Sequence, residues 1–439
     1  MRMKLSCLLV AVTALAACNL DFTNPNAPTE KEILNTRQGI VALAIGLQAR
    51  YGAGMGDFVY PGGLITDELG ATAAALPSYK DVEAGAAMVN TFDAVETPWR
   101  SHYRTIKTAN DLLGNAGHVG LGDSTLSGIL TISYLFKAMS LGELLQLYKS
   151  IPINTYHIDE PTFVDRGVAL AYVAALLDSA LAQYNAVRPG GEFDNTIRAT
   201  GLDVKNTIFA MLARYQRIAG NAAAAFDAAD SVNLGVVSFM PFSDQAINPI
   251  HDLSNRAGYV KPVDSLRLQA EAGDTVRIRY LVKDSAIAGN LQPLDQFVQY
   301  ASNSAPIPFY LPGEVMLIRA EALLDLGDIP GARAAVNAVR TKCTGVPTNQ
   351  PRACLSALAD TLLDTDPEVR AEIYHQRRFE LFATGLRWED TRRLGSVGTG
   401  GGIANRCWLL YPLSERNVNH NVPADPEPGP APAFPATCF

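Results

Sequence analysis

Ile307-Pro-Phe-Tyr-Leu-Pro-Gly-Glu314-Val-Met-Leu-Ile-Arg319-Ala-Glu321-Ala322, followed by Leu326-Gly-Asp328 and Val336-Asn337-Ala-Val-Arg340, is the stretch on which the fold turns. Apolar residues recur at helical spacing over about 312–326 and again over 329–342, with Gly327 at the join, so the stretch predicts two helices folded back on each other. Ala320 precedes Gly327 by seven positions and Ala332 follows it by five; small side chains there let two antiparallel helices approach around a tight turn.

The same spacing occurs once more, with Ala213, Gly220 and Ala225. The repeated pattern resembles the tetratricopeptide repeat and predicts an α-solenoid portion stacked from helix pairs. A generic pair of helical hairpins is the plainer alternative. Outward from these pairs, helix-period segments run at about 96–115, 125–148, 166–186, 202–218, 221–232 and 366–394. Thr29 with Glu32 reads as a capping box that opens a further helix towards Tyr51. Irregular stretches remain at 52–95, 187–201 and 233–311. The last is too long for a structureless loop and is expected to hold short strands or a functional insert.

The amino terminus carries a different message. Met1-Arg-Met-Lys4 is positive, Leu5 to Leu15 is apolar and Ala16-Ala17 are small, which is the layout of a cleaved export signal over residues 1–17. Leu15-Ala16-Ala17-Cys18 resembles the lipobox of bacterial lipoproteins, so Cys18 is expected to carry lipid and residues 18–28 to form an extended tether. The apolar core of the signal is too short for a permanent anchor, and no later apolar run is expected to span. The mature chain is therefore expected to stay on a membrane through lipid alone.

Composition bounds what the body, residues 29–439, can do. Lys and Arg number 36 against 44 Asp and Glu; loss of Arg2 and Lys4 with the signal leaves 34 against 44, an acidic chain with no basic run, and nucleic acid is excluded as an expected partner. Apolar residues make up 48%, enough for a sizeable core. After Cys7 and Cys18, four cysteines remain: Cys343, Cys354, Cys407 and Cys438. An even number in an exported chain favours disulfides. Of three pairings, Cys343–Cys354, closing a short loop, with Cys407–Cys438, pinning the Pro-rich tail 423–439, is favoured. The six histidines are scattered without paired spacing, so no metal is expected, and no phosphate loop or dinucleotide fingerprint suggests a cofactor.

The opening block, together with Gln376-Arg377-Arg378-Phe-Glu380-Leu381-Phe-Ala-Thr384-Gly385-Leu-Arg387-Trp388-Glu-Asp390-Thr-Arg392-Arg393, resembles the SusD/RagB family of outer-membrane nutrient-binding lipoproteins. Trp99, Tyr103, Ile106 and Ala109-Asn110 fit the family's early helix, Asn24-Pro25-Asn26 its tether, and Leu410-Tyr411-Pro412-Leu413 its closing strand. Gln376 and Thr384 depart from it, each standing where the family usually has Glu, which puts part of an ion network around that helix in doubt. The residues themselves read as structural: Arg377, Glu380, Arg387 and Asp390 with Glu314 and Arg319 suit ion pairs between helices, and an Arg suits stacking on an aromatic ring.

The resemblance implies a mainly α, SusD-like α-solenoid of tetratricopeptide-like helix pairs, with a loop-rich ligand-binding portion and a few short strands. It implies a surface lipoprotein, not an enzyme, that binds an oligosaccharide or other nutrient and delivers it to a SusC-like TonB-dependent transporter barrel. By the same analogy the helix pairs around 96–232 face the barrel, leaving 52–95 and 233–311 for ligand. Sugars need aromatic faces ringed by polar groups. Tyr79 beside Lys80 and Asp81, Phe92 beside Asp93, Tyr259 near Asn255 and Arg256, and Tyr300 near Gln299 and Asn303 are the candidates, at least one of which is expected to line the ligand face. Trp99 and Trp388 are assigned to the core. A helical-toroid glycoside hydrolase, which needs a carboxylate pair across a cleft, and a repeat scaffold without small ligand are the rival readings.

Overall fold

A computed structural model describes residues 29–85, 88–345, 347, 349–394, 406–425 and 438. The signal, Cys18, the tether, Gly398–Gly402 and nearly all of the Pro-rich tail lie outside these residues. Helices dominate, as the periodicity predicts. Thr29 and Glu32 form the expected capping box, but the helix it opens is short, α1 (Glu30–Leu34). Thr36 then caps a second start through the Gly39 amide, and α2 runs from Arg37 to Ile65.

The sequence reading stopped α2 near Tyr51 because Gly52, Gly54, Gly56 and Pro61 follow. The chain stays helical because those glycines are where neighbours press in. A Cβ at Gly52 would meet the Met240 side chain, and one at Gly56 would lie 2.9 Å from Pro249. The helical weakness of glycine is offset by burial of α2 along almost its whole second half.

α3 (Pro77–Ala84), α4 (Asp93–Asn115), α5 (Asp123–Leu147) and α6 (Arg166–Ala186) follow. α5 and α6, each with mean hydropathy 1.3, have the length and apolarity to cross a membrane, contrary to the expectation that no later segment does. α5 is nonetheless 89% buried inside the fold, with α4 and α6 packed on it, so its apolarity is that of a core helix.

The two hairpins are present: α7 (Val204–Ile218) with α8 (Ala222–Asp230), and, after a short α9 (Thr275–Leu281), α10 (Pro312–Asp325) with α11 (Ile329–Thr341). Gly220 and Gly327 turn at φ 82° and 85°, a conformation that costs a residue with a Cβ, and Ala213, Ala225, Ala320 and Ala332 are fully buried. The expected helix at 366–394 is two helices, α12 (Asp366–Glu380) and α13 (Arg387–Leu394). Between them the chain turns, with the Thr384 hydroxyl donating to the Leu381 carbonyl at 2.6 Å.

Among the described residues eight short strands are all paired antiparallel, six of them in the 52–95 and 233–311 stretches and two in the connection between α5 and α6. β1 (Leu69–Ala71) pairs with β5 (Val260–Pro262), and β6 (Val282–Ile287) pairs with β7 (Leu294–Phe297). Single bridges Thr72–Gly289 and Val263–Leu294 tie these two pairs together. β2 (Ile151–Pro152) pairs with β3 (Phe163–Val164), and β4 (Phe239–Met240) with β8 (Ile307–Pro308). The expected closing strand at Leu410–Leu413 joins no sheet among the described residues; Leu409 donates its amide to Leu147 at the end of α5 instead. Both favoured disulfides are formed, Cys343–Cys354 and Cys407–Cys438.

The signature residues hold helices together. Arg214 of α7 grips Glu314 of α10 with two bonds of 2.6 and 2.7 Å, Arg217 reaches Glu321 at 2.8 Å, and Arg377 joins Asp390 across the α12–α13 turn at 2.8 Å. Arg393 adds a further bond to Glu321. Burial opposes ionisation of Glu321, but Arg393, Arg217 and Arg377 outweigh it and hold the carboxyl at about 2. Glu380 pairs with Lys342. Gln376 keeps its place in the network as a neutral link, accepting from Arg277 at 2.9 Å and donating to Glu372 at 2.8 Å. Arg387 lies over the Tyr374 ring at 4.4 Å and Arg319 over Phe226 at 5.3 Å, the stacking the residue types suggest.

Candidate ligand-binding site

Pairing of β1 with β5 brings the 66–84 segment against the 249–263 segment. Thr72 fixes the join, donating its amide to the Tyr259 carbonyl at 2.9 Å and its hydroxyl to the Gly258 carbonyl at 2.8 Å. As a result Tyr79, on α3, and Tyr259 meet, with ring centroids 5.7 Å apart and planes tilted by 33°. Both rings are half-buried, so each keeps surface exposed to solvent.

Tyr79 lines a cleft of about 460 Å³ built by four elements. α2 gives Ala53, Gly56, Asp57 and Tyr60, spaced along one helical face; α4 gives Asp93, Thr97 and Arg100 from its first turns; Pro249, Asp252 and Leu253 close the third side. Tyr60 anchors that side, its hydroxyl lying 2.7 Å from the Pro249 carbonyl and 2.8 Å from that of Ile250. Pro61, also in the wall, has no N–H to give the Asp57 carbonyl four residues back.

Burial pushes the Asp57 carboxyl up to about 6, against the opposing pull of the Ser101 hydroxyl and the Arg100 charge. Asp252 is held by Arg256 four residues on. The cleft therefore offers an aromatic face beside carboxylate acceptors and one cation, the set that hydroxyl-rich ligands with apolar faces require. Among the described residues no group of three or more His, Cys, Asp or Glu is placed to hold a metal ion.

The four sequence candidates are placed unequally. Tyr79 and Tyr259 come together. Phe92 caps α4 beside Asp93 and packs half-buried on the core; it does not line the cleft. Tyr300 is a correction: its ring is 3% exposed and packs on Phe297 at 5.5 Å, because the chain leaving β7 is tied to the α12–α13 turn through Gln299 and the Phe382 carbonyl. Tyr300 lines two small cavities of about 20 Å³ each, one shared with Tyr51, Glu143 and Arg214 and the other with Phe239, Tyr280 and Gln299, too small to seat a sugar. Of the polar neighbours, Asp93 reaches the cleft. Lys80 donates to the Ala73 carbonyl, Asn255 to that of Tyr300, and Asn303 to Asp244.

Asp57, Tyr60 and Arg100 were missed. The signal for them was the spacing 53, 56, 57 and 60, legible once the helix is continued through its glycines. Trp99 and Trp388 are core residues as assigned, 5% and 1% exposed.

Residues 292–421 match the sequence model of the SusD family. No curated protein matches the chain. Among solved structures it is similar to a SusD superfamily protein from Bacteroides fragilis, with a TM-score of 0.68 and 16% identity over 89% of this chain and 99% of the other. B. fragilis NanU gives 0.69 and 14% over 92% and 100%, and a SusD-like carbohydrate binding protein from Bacteroides vulgatus gives 0.63 and 14% over 81% and 83%. Residues 292–421 thus carry the sequence signature of the SusD family, and the described chain shares its fold with SusD superfamily structures.

Proposed function

We propose that the protein is a carbohydrate-binding lipoprotein, anchored through Cys18 to an outer membrane, that captures an oligosaccharide and hands it to a TonB-dependent transporter barrel. The observation that carries the binding reading is Tyr79, backed by Tyr259, lining a cleft that also holds Asp57, Asp93, Asp252 and Arg100. A relative of the same fold is a carbohydrate binding protein, which supports the ligand class. The lipobox-like Leu15–Cys18 supports the anchor. The helix pairs around 96–232 are the rigid surface assigned to the barrel, which leaves the strand-bearing segments to the ligand.

A hydrolase reading has one observation in its favour, the Asp57 carboxyl held near 6 in a cleft that a second carboxyl, Asp93, also lines, since glycoside hydrolysis uses two carboxyl groups, one of them raised. A glycan array with the full-length protein, followed by mass spectrometry of each bound glycan after prolonged incubation, separates the two. Intact ligand is expected; cleaved product would replace binding with catalysis, and no retained glycan would remove both. Cys18→Ser is expected to release the protein from membranes, and normal retention of that variant would remove the anchor from the account.

A further inference from the structure

A second cleft, of about 540 Å³, opens on the α4 surface next to the first, and Arg100 lines both. Its floor is aromatic: Trp99 and Tyr103 lie with centroids 4.7 Å apart, Trp99 stacks on Phe163 at 5.8 Å, and Tyr103 is fixed by its hydroxyl donating to the Pro152 carbonyl at 2.9 Å. Its rim carries three exposed apolar side chains, Tyr156 at 38%, Ile158 at 47% and Val418 at 63% exposure. Exposed apolar groups gathered round a buried aromatic floor mark a surface that binds something.

The charges say what. Arg100 and Arg104 stand four positions apart on one face of α4, a spacing at which like charges repel. Among the described residues the Arg104 guanidinium has no hydrogen-bond or ion-pair partner, and that of Arg100 has the Thr97 hydroxyl at 3.3 Å and the nearby charge of Asp57. One turn further, Lys107 is already neutralised by Glu30 and Asp111 at 2.6 and 2.9 Å. Of the other carboxylates in the lining, Glu415 is likewise engaged, accepting from Trp99 and Asn419, and Asp159 stands at the exposed rim. One guanidinium without a partner, Arg104, and a second, Arg100, shared with the Asp57 side, set beside an aromatic floor, fit a ligand with a planar anion on an apolar body.

We propose that this cleft binds an acidic sugar residue, its carboxylate taken by Arg100 and Arg104 and its C–H face laid on the Tyr156 side of the rim. Guanidinium groups suit this because their planar forks match the two oxygens of a carboxylate. The site stands on its own residues and does not require that ligand occupy the Tyr79–Tyr259 cleft.

The test is calorimetry of the full-length protein with a panel of tetrasaccharides built from uronic acids, tetragalacturonate first, each against its methyl ester, which keeps the shape and removes the charge. The acids are expected to bind and the esters not, with affinity falling as salt is raised. Arg104→Gln is expected to weaken acid binding about tenfold, the scale of a lost hydrogen bond to a charged group, and Arg104→Lys to weaken it less. Both should melt with the wild type, since Arg104 is exposed. Tyr79→Ala should leave acid binding unchanged, which separates failure here from failure of the first cleft. Equal binding of acid and ester, no binding of any acid, or wild-type affinity in Arg104→Gln would overturn the proposal.

Discussion

The paired helices α7, α8, α10 and α11 with α12 and α13, and the strand-bearing segments around Tyr79 and Tyr259, are held by different physics. In the first region buried arginines and carboxylates lock one helix to the next, as Arg214 does Glu314 and as Arg217 and Arg393 do Glu321. In the second, short antiparallel pairs of two to six residues and single bridges set the geometry, and the aromatic side chains stay half-exposed. The lesson is that the residues which make the family legible are those whose removal leaves an uncompensated charge in the interior, whereas the ligand surface can change without threatening the fold.

The sharpest way to break this comparison is Glu321→Ala. It takes the shared carboxylate from the buried Arg217 and Arg393, leaving them Asp325 and Asp390, and a loss of about 3 kcal/mol is expected in thermal or denaturant unfolding. A cost under about 1 kcal/mol would show that the ion network is not what holds the helix pairs.

Disulfides come next. Reduction of Cys407–Cys438, which spans a separation of 31 residues, is expected to cost about 4 kcal/mol, more than the roughly 3 kcal/mol for Cys343–Cys354 with its separation of 11. Thiol labelling of the unreduced protein should find none of the four cysteines free, and mapping that found two reduced would contradict the pairing.

A third test uses pH and the main core. Burial raises the Glu143 carboxyl from 4.5 to about 7, although Tyr51 bonds it and Arg214 lies near. The folded state thus holds this proton longer than the unfolded chain. Its contribution is complete below about 4.5 and is lost as pH rises through 7, on the order of 3 kcal/mol in all. His102, pushed down by burial to about 3, acts in the opposite sense, its contribution present above 6.5 and lost as pH falls towards 3. Glu143→Gln should flatten the decline between pH 4.5 and 7; an unchanged slope would remove Glu143 as its source.

The smallest stability effect belongs to the cleft. Tyr79→Ala and Tyr259→Ala are each expected to stay within about 1 kcal/mol of wild type, as half-exposed positions do. A larger loss would make the tyrosine pair a packing element like those of the helix pairs.

The same contrast explains what could be read in advance. Helix hairpins were legible because Ala213, Gly220 and Ala225 and their counterparts Ala320, Gly327 and Ala332 state both the crossing and the turn. Disulfide pairing was legible from spacing. The second half of α2 was not, because its glycines look like helix breakers until Met240 and Pro249, nearly two hundred residues away, are seen to fill the space they leave. Tyr79 and Tyr259 could be named but not joined, since only the β1–β5 register brings them together. Tyr300 was misplaced for a related reason: nothing local in Gln299-Tyr300 reveals that Gln299 is tied to Phe382 and the ring turned inward.

The most direct measurement is calorimetric titration of wild-type, Tyr79→Ala and Tyr259→Ala protein with a glycan that the array identifies as a ligand and that carries no acidic sugar. The account predicts a loss of binding of about tenfold or more in each variant, as a stacking contact of 1–3 kcal/mol implies, with melting curves matching wild type. Wild-type affinity in both variants would contradict the claim that the strand-joined tyrosine pair, and not the signature-bearing helices, holds the ligand.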